Sequence, residues 1–242
     1  ISNLGANTIY VFAVDDVAAG SRTGLRSRLS VDDAAAIEAE AFSVAATMPL
    51  GSTRAQVVAA DKNQLASVLG VGEKHVEILR SNVAEGRAFP AAEHATKARV
   101  VILGDTVKRE LFGSGEAVGE IVRIGKHAYR VIGLLEAQGR SLMGDDSDNR
   151  VLMPSTSFRA RILPGQGSRT RILVASATDE RTIERAKSQI VDILRQRHRI
   201  AAEDEPDFNT LTQSQIRRTQ EQIFGALTAL LAAVSAVSLL VG

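Results

Sequence analysis

Residues 223–242, IFGALTALLAAVSAVSLLVG, carry no charge and no strong polar group beyond Thr228, Ser235 and Ser238. Wound as a helix, such a run is about 30 Å long, the thickness of a bilayer's hydrocarbon core. A helix buried in a soluble protein usually keeps a polar stripe. Here Ile223, Phe224, Leu227, Leu230, Leu231, Val234, Val237, Leu239, Leu240 and Val241 cover every face. The run therefore predicts the start of a transmembrane helix. Its small residues, Gly225, Ala226, Ala229, Ala232, Ala233, Ala236 and Ser238, suit close approach of a neighbouring helix in lipid. A chain that opens on Ile1 and stops at Gly242 inside an apolar run is expected to be a piece of a longer protein.

Residues 1–222 are long enough to bury one large core or two small ones. No basic stretch followed by an apolar run precedes the first strand-like segment, so delivery out of the cytoplasm would need an upstream membrane helix. With 29 basic and 28 acidic residues the net charge is +1, which leaves no electrostatic footprint for nucleic acid. The sequence has no cysteine, which excludes disulfides, thiolate metal sites and cysteine nucleophiles. Aromatic residues make up 4% of it and tryptophan is absent, so stacking platforms for sugars or bases are not expected.

Local patterns predict an α+β chain. TIYVFAV (residues 8–14) reads as a strand, and a helix over 32–41 follows with Ser30 or Asp32 as cap. Two strands are expected at 42–48 and 55–60. Between 61 and 149 the elements are short and broken by glycine: SVLGV, a short helix in EKHVEILR, the strand RVVIL at 99–103, and a helix over 105–112 closed by Gly113. EIVRI and AYRVIGLL flank a three-residue turn, Gly125, Lys126 and His127. RVLMP returns to a strand, a short helix follows Pro154, and RILVASA is a strand. A helix over 179–199 places Ile183, Ala186, Ile190, Ile193 and Leu194 on one face, with Thr178 as cap and a basic last turn. A final strand at 207–212 leads into a helix that runs through QSQIRRTQEQ into the apolar segment.

No enzymatic constellation emerges. LGVGEKH (69–75) and GSGEAVGE (113–120) lack the Gly-Lys-Ser/Thr ending of a P-loop, and their glycines read as turn punctuation. His75, His94, His127 and His198 have no partner at a helical metal-ligand spacing and read as surface residues, His198 suiting a helix end. The acidic loop Asp145, Asp146, Asp148 lacks the glycine and later glutamate of an EF-hand and reads as solvated. Glu203, Asp204, Glu205 and Asp207 read as a charged linker around Pro206. No G-x-S-x-G elbow is present. Neither catalytic, cofactor-binding nor metal residues are assigned.

Several stretches, in order, resemble the periplasmic core domain of MacB-type permeases, a group that includes FtsX-like proteins. They are NLGANTIYV (3–11), EGRAF (85–89), VVILGDTVKRELFG (100–113), AVGEIVRIGKHAYRVIGLL (117–135), DNRVLMP (148–154) and DFNTLTQSQI (207–216), closed by LLAAVSAVSLLVG (230–242). The motif positions are Gly5, Asn7, Gly86, Arg87, Phe89, Gly104, Phe112, Gly113, Gly119, Gly133 and Pro154, all structural. The resemblance implies two subdomains. A discontinuous porter-like βαβ unit would comprise residues 1–60 and 150–215, a mostly β sabre-like insert 61–149, and a stalk and start of a transmembrane helix 216–242. It further implies an extracytoplasmic domain on a bacterial inner-membrane permease that couples cytoplasmic ATP hydrolysis to movement outside. ATP would sit on a separate or missing ATPase domain or subunit. Partners would be that ATPase, a second permease copy as homodimer or heterodimer, the membrane and a periplasmic adaptor protein, for export of antibiotic, peptide or lipid-linked cargo. A lipoprotein-releasing or FtsX-like permease keeps the fold and changes the task. A soluble periplasmic enzyme or binding module is the third reading.

Overall fold

The computed structural model describes residues 7–14, 28–79, 81–139, 146–165 and 167–241. Its elements are β1 (Thr8–Ala13), α1 (Val31–Glu40), β2 (Val44–Ala59), β3 (Lys62–Val71), α2 (His75–Leu79), β4 (Val83–Gly86), α3 (Ala91–Ala95), β5 (Val100–Leu103), α4 (Asp105–Phe112), β6 (Ile121–Ile124), β7 (His127–Leu135), β8 (Arg150–Pro154), α5 (Ser155–Arg161), β9 (Ile172–Ala177), α6 (Ile183–His198), β10 (Phe208–Thr212) and α7 (Gln213–Val241). The architecture is mixed α+β, as the sequence predicts. Among the described residues the strands join in the order β10-β1-β9-β2-β3-β8-β5-β7-β4, with β6 pairing β2 and β7.

The first part of that sheet, β10-β1-β9-β2, is antiparallel throughout. One core gathers Ile9 and Val11 of β1, Leu173 and Ala175 of β9, and the buried faces of α1 and α6. Ser30 and Asp33 form a reciprocal capping box that starts α1. On α6, Ala186, Ile190, Ile193 and Leu194 are buried at helical spacing. The helix starts later than the sequence predicts. Asp179, not Thr178, caps a short 3-10 turn, Glu180–Thr182, by accepting the Arg181 amide at 2.8 Å, and α6 proper begins at Ile183. Arg199, at φ 54° and ψ 47°, ends it.

The two strands expected at 42–48 and 55–60 are one continuous strand of 16 residues, β2. It pairs with β9 as far as Leu50 and with β3 from Gly51 onward. The ladder never breaks at Pro49 and Gly51 because β2 changes neighbours there. A second core lies under this far half, where Val57, Val68, Leu103, Val107, Leu111, Val131, Val151 and Phe158 are buried together. The sheet is mixed in this half, since β3 pairs with β8 and β5 with β7 in parallel. Gly70, expected in a turn, lies within β3, where an added Cβ would stand 2.5 Å from Phe158. The β6–β7 turn also differs from expectation: Ile124 pairs with His127, leaving a two-residue loop of Gly125 and Lys126.

Candidate coupling site

The final strand and the long helix join without an intervening residue, β10 ending at Thr212 and α7 starting at Gln213. The sequence Thr-Gln-Ser-Gln is a helix-start signature, and its side chains act accordingly. The Thr212 amide donates to Gln215 Oε1 at 3.0 Å, and the Gln215 amide donates to Thr212 Oγ1 at 3.2 Å. Lys187 Nζ of α6 donates to the same Gln215 Oε1 at 3.4 Å. β10 pairs with β1 from Ala13↔Phe208 to Ile9↔Thr212. The base of α7 is thus hydrogen-bonded to its own strand and to α6, and that strand is laddered to β1.

The other end of β10 is held by a buried ionic network. His198, the last residue of α6, places Nδ1 2.7 Å from Asp207 Oδ1 and Nε2 3.3 Å from Asp33 Oδ2. Arg197 Nε donates to Asp33 Oδ1 at 2.7 Å. Arg28 donates its amide to Asp207 at 2.9 Å and Nη1 to the His198 carbonyl at 2.7 Å. Burial alone would lower the His198 pKa, but hydrogen bonds to Asp33 and Asp207, with their charges, raise it above the ordinary imidazole value. Burial pushes Asp33 up, and hydrogen bonds from His198, Arg197 and Ser30 outweigh it, holding the carboxyl far below its usual range. The network ties α1, α6 and β10 together at one point.

This network corrects two sequence readings. Asp207 belongs to the fold rather than to a solvated linker. His75, His94 and His198 are buried, at 0%, 4% and 4% exposure, rather than on the surface, while His127 opens β7 half-buried. His75 and His94 flank Phe89, with ring centroids 5.3 and 6.0 Å away, and neither Nε2 has a hydrogen-bond partner among the described residues. Burial holds the His75 pKa down to about 4. Asp148 is also buried, accepting the Gln138 and Gly139 amides at 2.8 Å each. Asp145 lies outside the described residues. Among those described, no group of three or more His, Asp or Glu side chains is arranged to hold a metal.

The remaining motif positions are spread across the fold and do not converge on one site. Gly5 lies outside the described residues. Asn7 precedes β1, its carbonyl accepting the Ala177 amide at 2.9 Å. Gly86 adopts φ 79° at the end of β4, where the Ile132 carbonyl would stand 2.3 Å from an added Cβ. Arg87 pairs in two contacts with Glu93, at 2.6 and 3.1 Å. Gly104 is the N-cap of α4, and Gly113 its C-cap. Phe112 packs half-buried against the second core. Gly119 donates its amide to Val131 at 2.8 Å, Gly133 lies within β7, and Pro154 ends β8.

On α7, Ile223, Phe224, Leu227 and Leu231 are exposed by 52, 40, 50 and 67%. Leu230, Val234, Val237, Leu239, Leu240 and Val241 lie outside the residues whose side chains are described. Among the described residues, no helix is long and apolar enough to cross a membrane. Sequence reasoning placed α7 after a final strand but assigned it no cap, and it missed the His198 network, for which only Ser30 and Asp33 at capping-box spacing offered a local signal.

An α+β domain whose sheet edge passes directly into a 29-residue helix is a helix-mounted domain. Within that class, the chain belongs to the family described as the MacB-like periplasmic core domain, which it matches over residues 1–193. It is 29% identical over 246 residues to the macrolide export ATP-binding/permease protein MacB of Bdellovibrio bacteriovorus, covering 100% of this chain and 37% of that protein. It is 32% identical over 242 residues to MacB 1/2 of Paracoccus denitrificans, covering 100% of this chain and 35% of that one. The chain thus spans a little over a third of the curated relatives it matches. The periplasmic region of MacB from Actinobacillus actinomycetemcomitans superposes with a TM-score of 0.71 at 21% identity, covering 90% of this chain and 94% of that region, a likeness of fold.

Proposed function

We propose that this chain is the extracytoplasmic coupling domain of an ABC-transporter permease in a bacterial inner membrane, and that α7 continues into the bilayer as a transmembrane helix. The observation that carries this reading is the linker-free junction of β10 and α7, closed by Thr212 and Gln215. A rigid joint passes displacement of a helix to the sheet, whereas a flexible linker would absorb it. The apolar sequence beyond Phe224 supports the membrane assignment. The two cores support two subdomains, a porter-like unit drawn from both ends of the chain and a sabre-like insert whose core reaches beyond 61–149 to take in Val57, Val151 and Phe158, with residues 216–242 as stalk and start of the transmembrane helix. The energy source is an ABC ATPase domain or subunit, and the working assembly pairs two permeases and engages a periplasmic adaptor. The names of the relatives support export of small molecules. The motif residues serve the fold, not chemistry.

Inserting Gly-Gly-Ser between Thr212 and Gln213 in the intact permease and ATPase assembly tests the reading. Export is expected to fall at least tenfold while ATP hydrolysis continues. Distances between spin labels on the two extracytoplasmic domains should then stop responding to ATP. Unchanged export with the insertion in place would overturn the coupling role.

A further inference from the structure

The strand β2 makes its last pairing with β9 at Leu50↔Ile172 and its first with β3 at Gly51↔Gly70. The two cores diverge at this exchange, and a cleft of about 220 Å³ opens between β2, α5 and the entry to β9. One side is apolar, with Leu50, Leu163 and Ile172 on its wall. Among the described residues, every charged side chain on the lining is a cation: Arg159, Arg169 and Arg171. Arg159 is the least exposed of the three. It is half-buried, and no carboxylate among the described residues lies within ion-pairing distance of it. Burial lowers its pKa from the ordinary guanidinium value, and the charge of Asp32 offsets this only in part.

A guanidinium that has lost water without gaining a partner is costly, and an arriving carboxylate or phosphate restores what burial removed through charge-assisted, two-point hydrogen bonds. The apolar wall beside it has no use for a bare inorganic ion. We propose that the cleft binds a small organic anion, a carboxylate or phosphate head on a short apolar tail, with the head on Arg159 and the tail against Leu50, Leu163 and Ile172. The volume, roughly seven water molecules' worth, restricts the tail to a short chain. Such a ligand would bridge β2, α5 and β9 across the divergence of the two cores. The site is independent of the proposed coupling role.

The test uses the 242-residue chain in nanodiscs of zwitterionic lipid, with empty discs as blanks, titrated calorimetrically. The probes are octanoate, octyl phosphate, 1-octanol and inorganic phosphate. One of the two anionic amphiphiles is expected to saturate a single site, with octanol and phosphate each at least tenfold weaker. Tighter octanoate identifies a carboxylate ligand, and tighter octyl phosphate a phosphate headgroup. Arg159→Gln should weaken the anionic probe at least tenfold and leave octanol unchanged, while Arg159→Lys retains part of the affinity. Leu163→Trp, which fills the cleft and leaves the cations in place, should abolish binding and serves if Arg159→Gln fails to fold. Octanol binding as tightly as octanoate, equal affinity in folded Arg159→Gln, or no saturable binding of either amphiphile would overturn the proposal.

Discussion

Replacing Asp33 by Asn preserves the side chain's shape and removes a charge shared by two cations. Asp33 is 3% exposed, and its carboxylate accepts the Ser30 amide and hydroxyl at 2.9 Å each, Arg197 at 2.7 Å and His198 at 3.3 Å. Removing one partner of a buried pair costs about 3–5 kcal/mol, because the opposite charge stays behind. The Arg197 side chain is 37% exposed, and Asp207 still holds His198, so the lower end, about 3 kcal/mol, is expected. In a domain of this size that lowers the melting temperature by roughly 6–12 °C. The pH dependence has a definite sign. The folded pKa of His198 lies above its ordinary 6.5, so its contribution is whole below that pH and is lost as pH rises through the folded value. That of Asp33 lies below its ordinary 3.8, so its contribution stands above that pH and disappears only in strong acid. The gap between wild type and Asp33→Asn should therefore be widest between about pH 4 and 6.5 and shrink toward pH 9. Far-UV circular dichroism melts in neutral detergent measure it. A gap of equal size at both ends of that range, or one below about 1 kcal/mol in the acid window, would refute the reasoning.

Four further substitutions probe separate parts of the fold. Gly104→Ala brings a Cβ within 2.2 Å of the Asp148 carbonyl and is expected to cost about 3 kcal/mol or more, whereas Gly113→Ala meets nothing within 4 Å and costs only the backbone strain of φ 61° and ψ −122°, about 1–3 kcal/mol. Urea titrations rank the two, and the opposite order would show that the close approach at Gly104 relaxes freely. Because His75 titrates at about 4 in the fold, the unfolded chain takes up its proton first, and stability should fall as pH drops from about 6.5 to about 4. His75→Gln is expected to flatten that acid limb in a melting-temperature series; an unaltered slope would assign it to other groups. Gln215→Ala removes one half of the cap on α7 and should cost about 1 kcal/mol, read as roughly fivefold faster hydrogen exchange at the Thr212 amide.

What was legible in the sequence is what depends on neighbours along the chain. The helix at Asp105–Phe112 announces itself by its glycine stop, and α1 by Ser30 as its cap. Each signal spans four residues or fewer, so the chemistry that sets it is local. The strand β2 was misread because Pro49, Gly51 and Ser52 suggest an interruption. A ladder tolerates them where the strand changes partners, and Gly51 leaves room for the Phe158 ring, with an added Cβ at 2.4 Å. The histidines were misread for a related reason. His198 meets Asp33 across 165 positions, and no spacing rule links residues so far apart. The Arg159 cleft is formed by segments that become neighbours only when both cores are in place, so nothing in the order of residues marks it.

The position of β1 between β9 and β10 governs how the chain must be built during synthesis. Its two partners occupy residues 172–177 and 208–212. At about 5–20 residues per second, a ribosome reaches the first of them roughly 8–30 s after completing β1. For that interval TIYVFA, a nearly continuous apolar segment, has neither ladder partner and offers two open edges to other chains. Nascent copies are most exposed to misassembly then, and a holding chaperone or slow release would matter most in the same period. The strand made first is installed nearly last, so completion of this domain waits on Thr212.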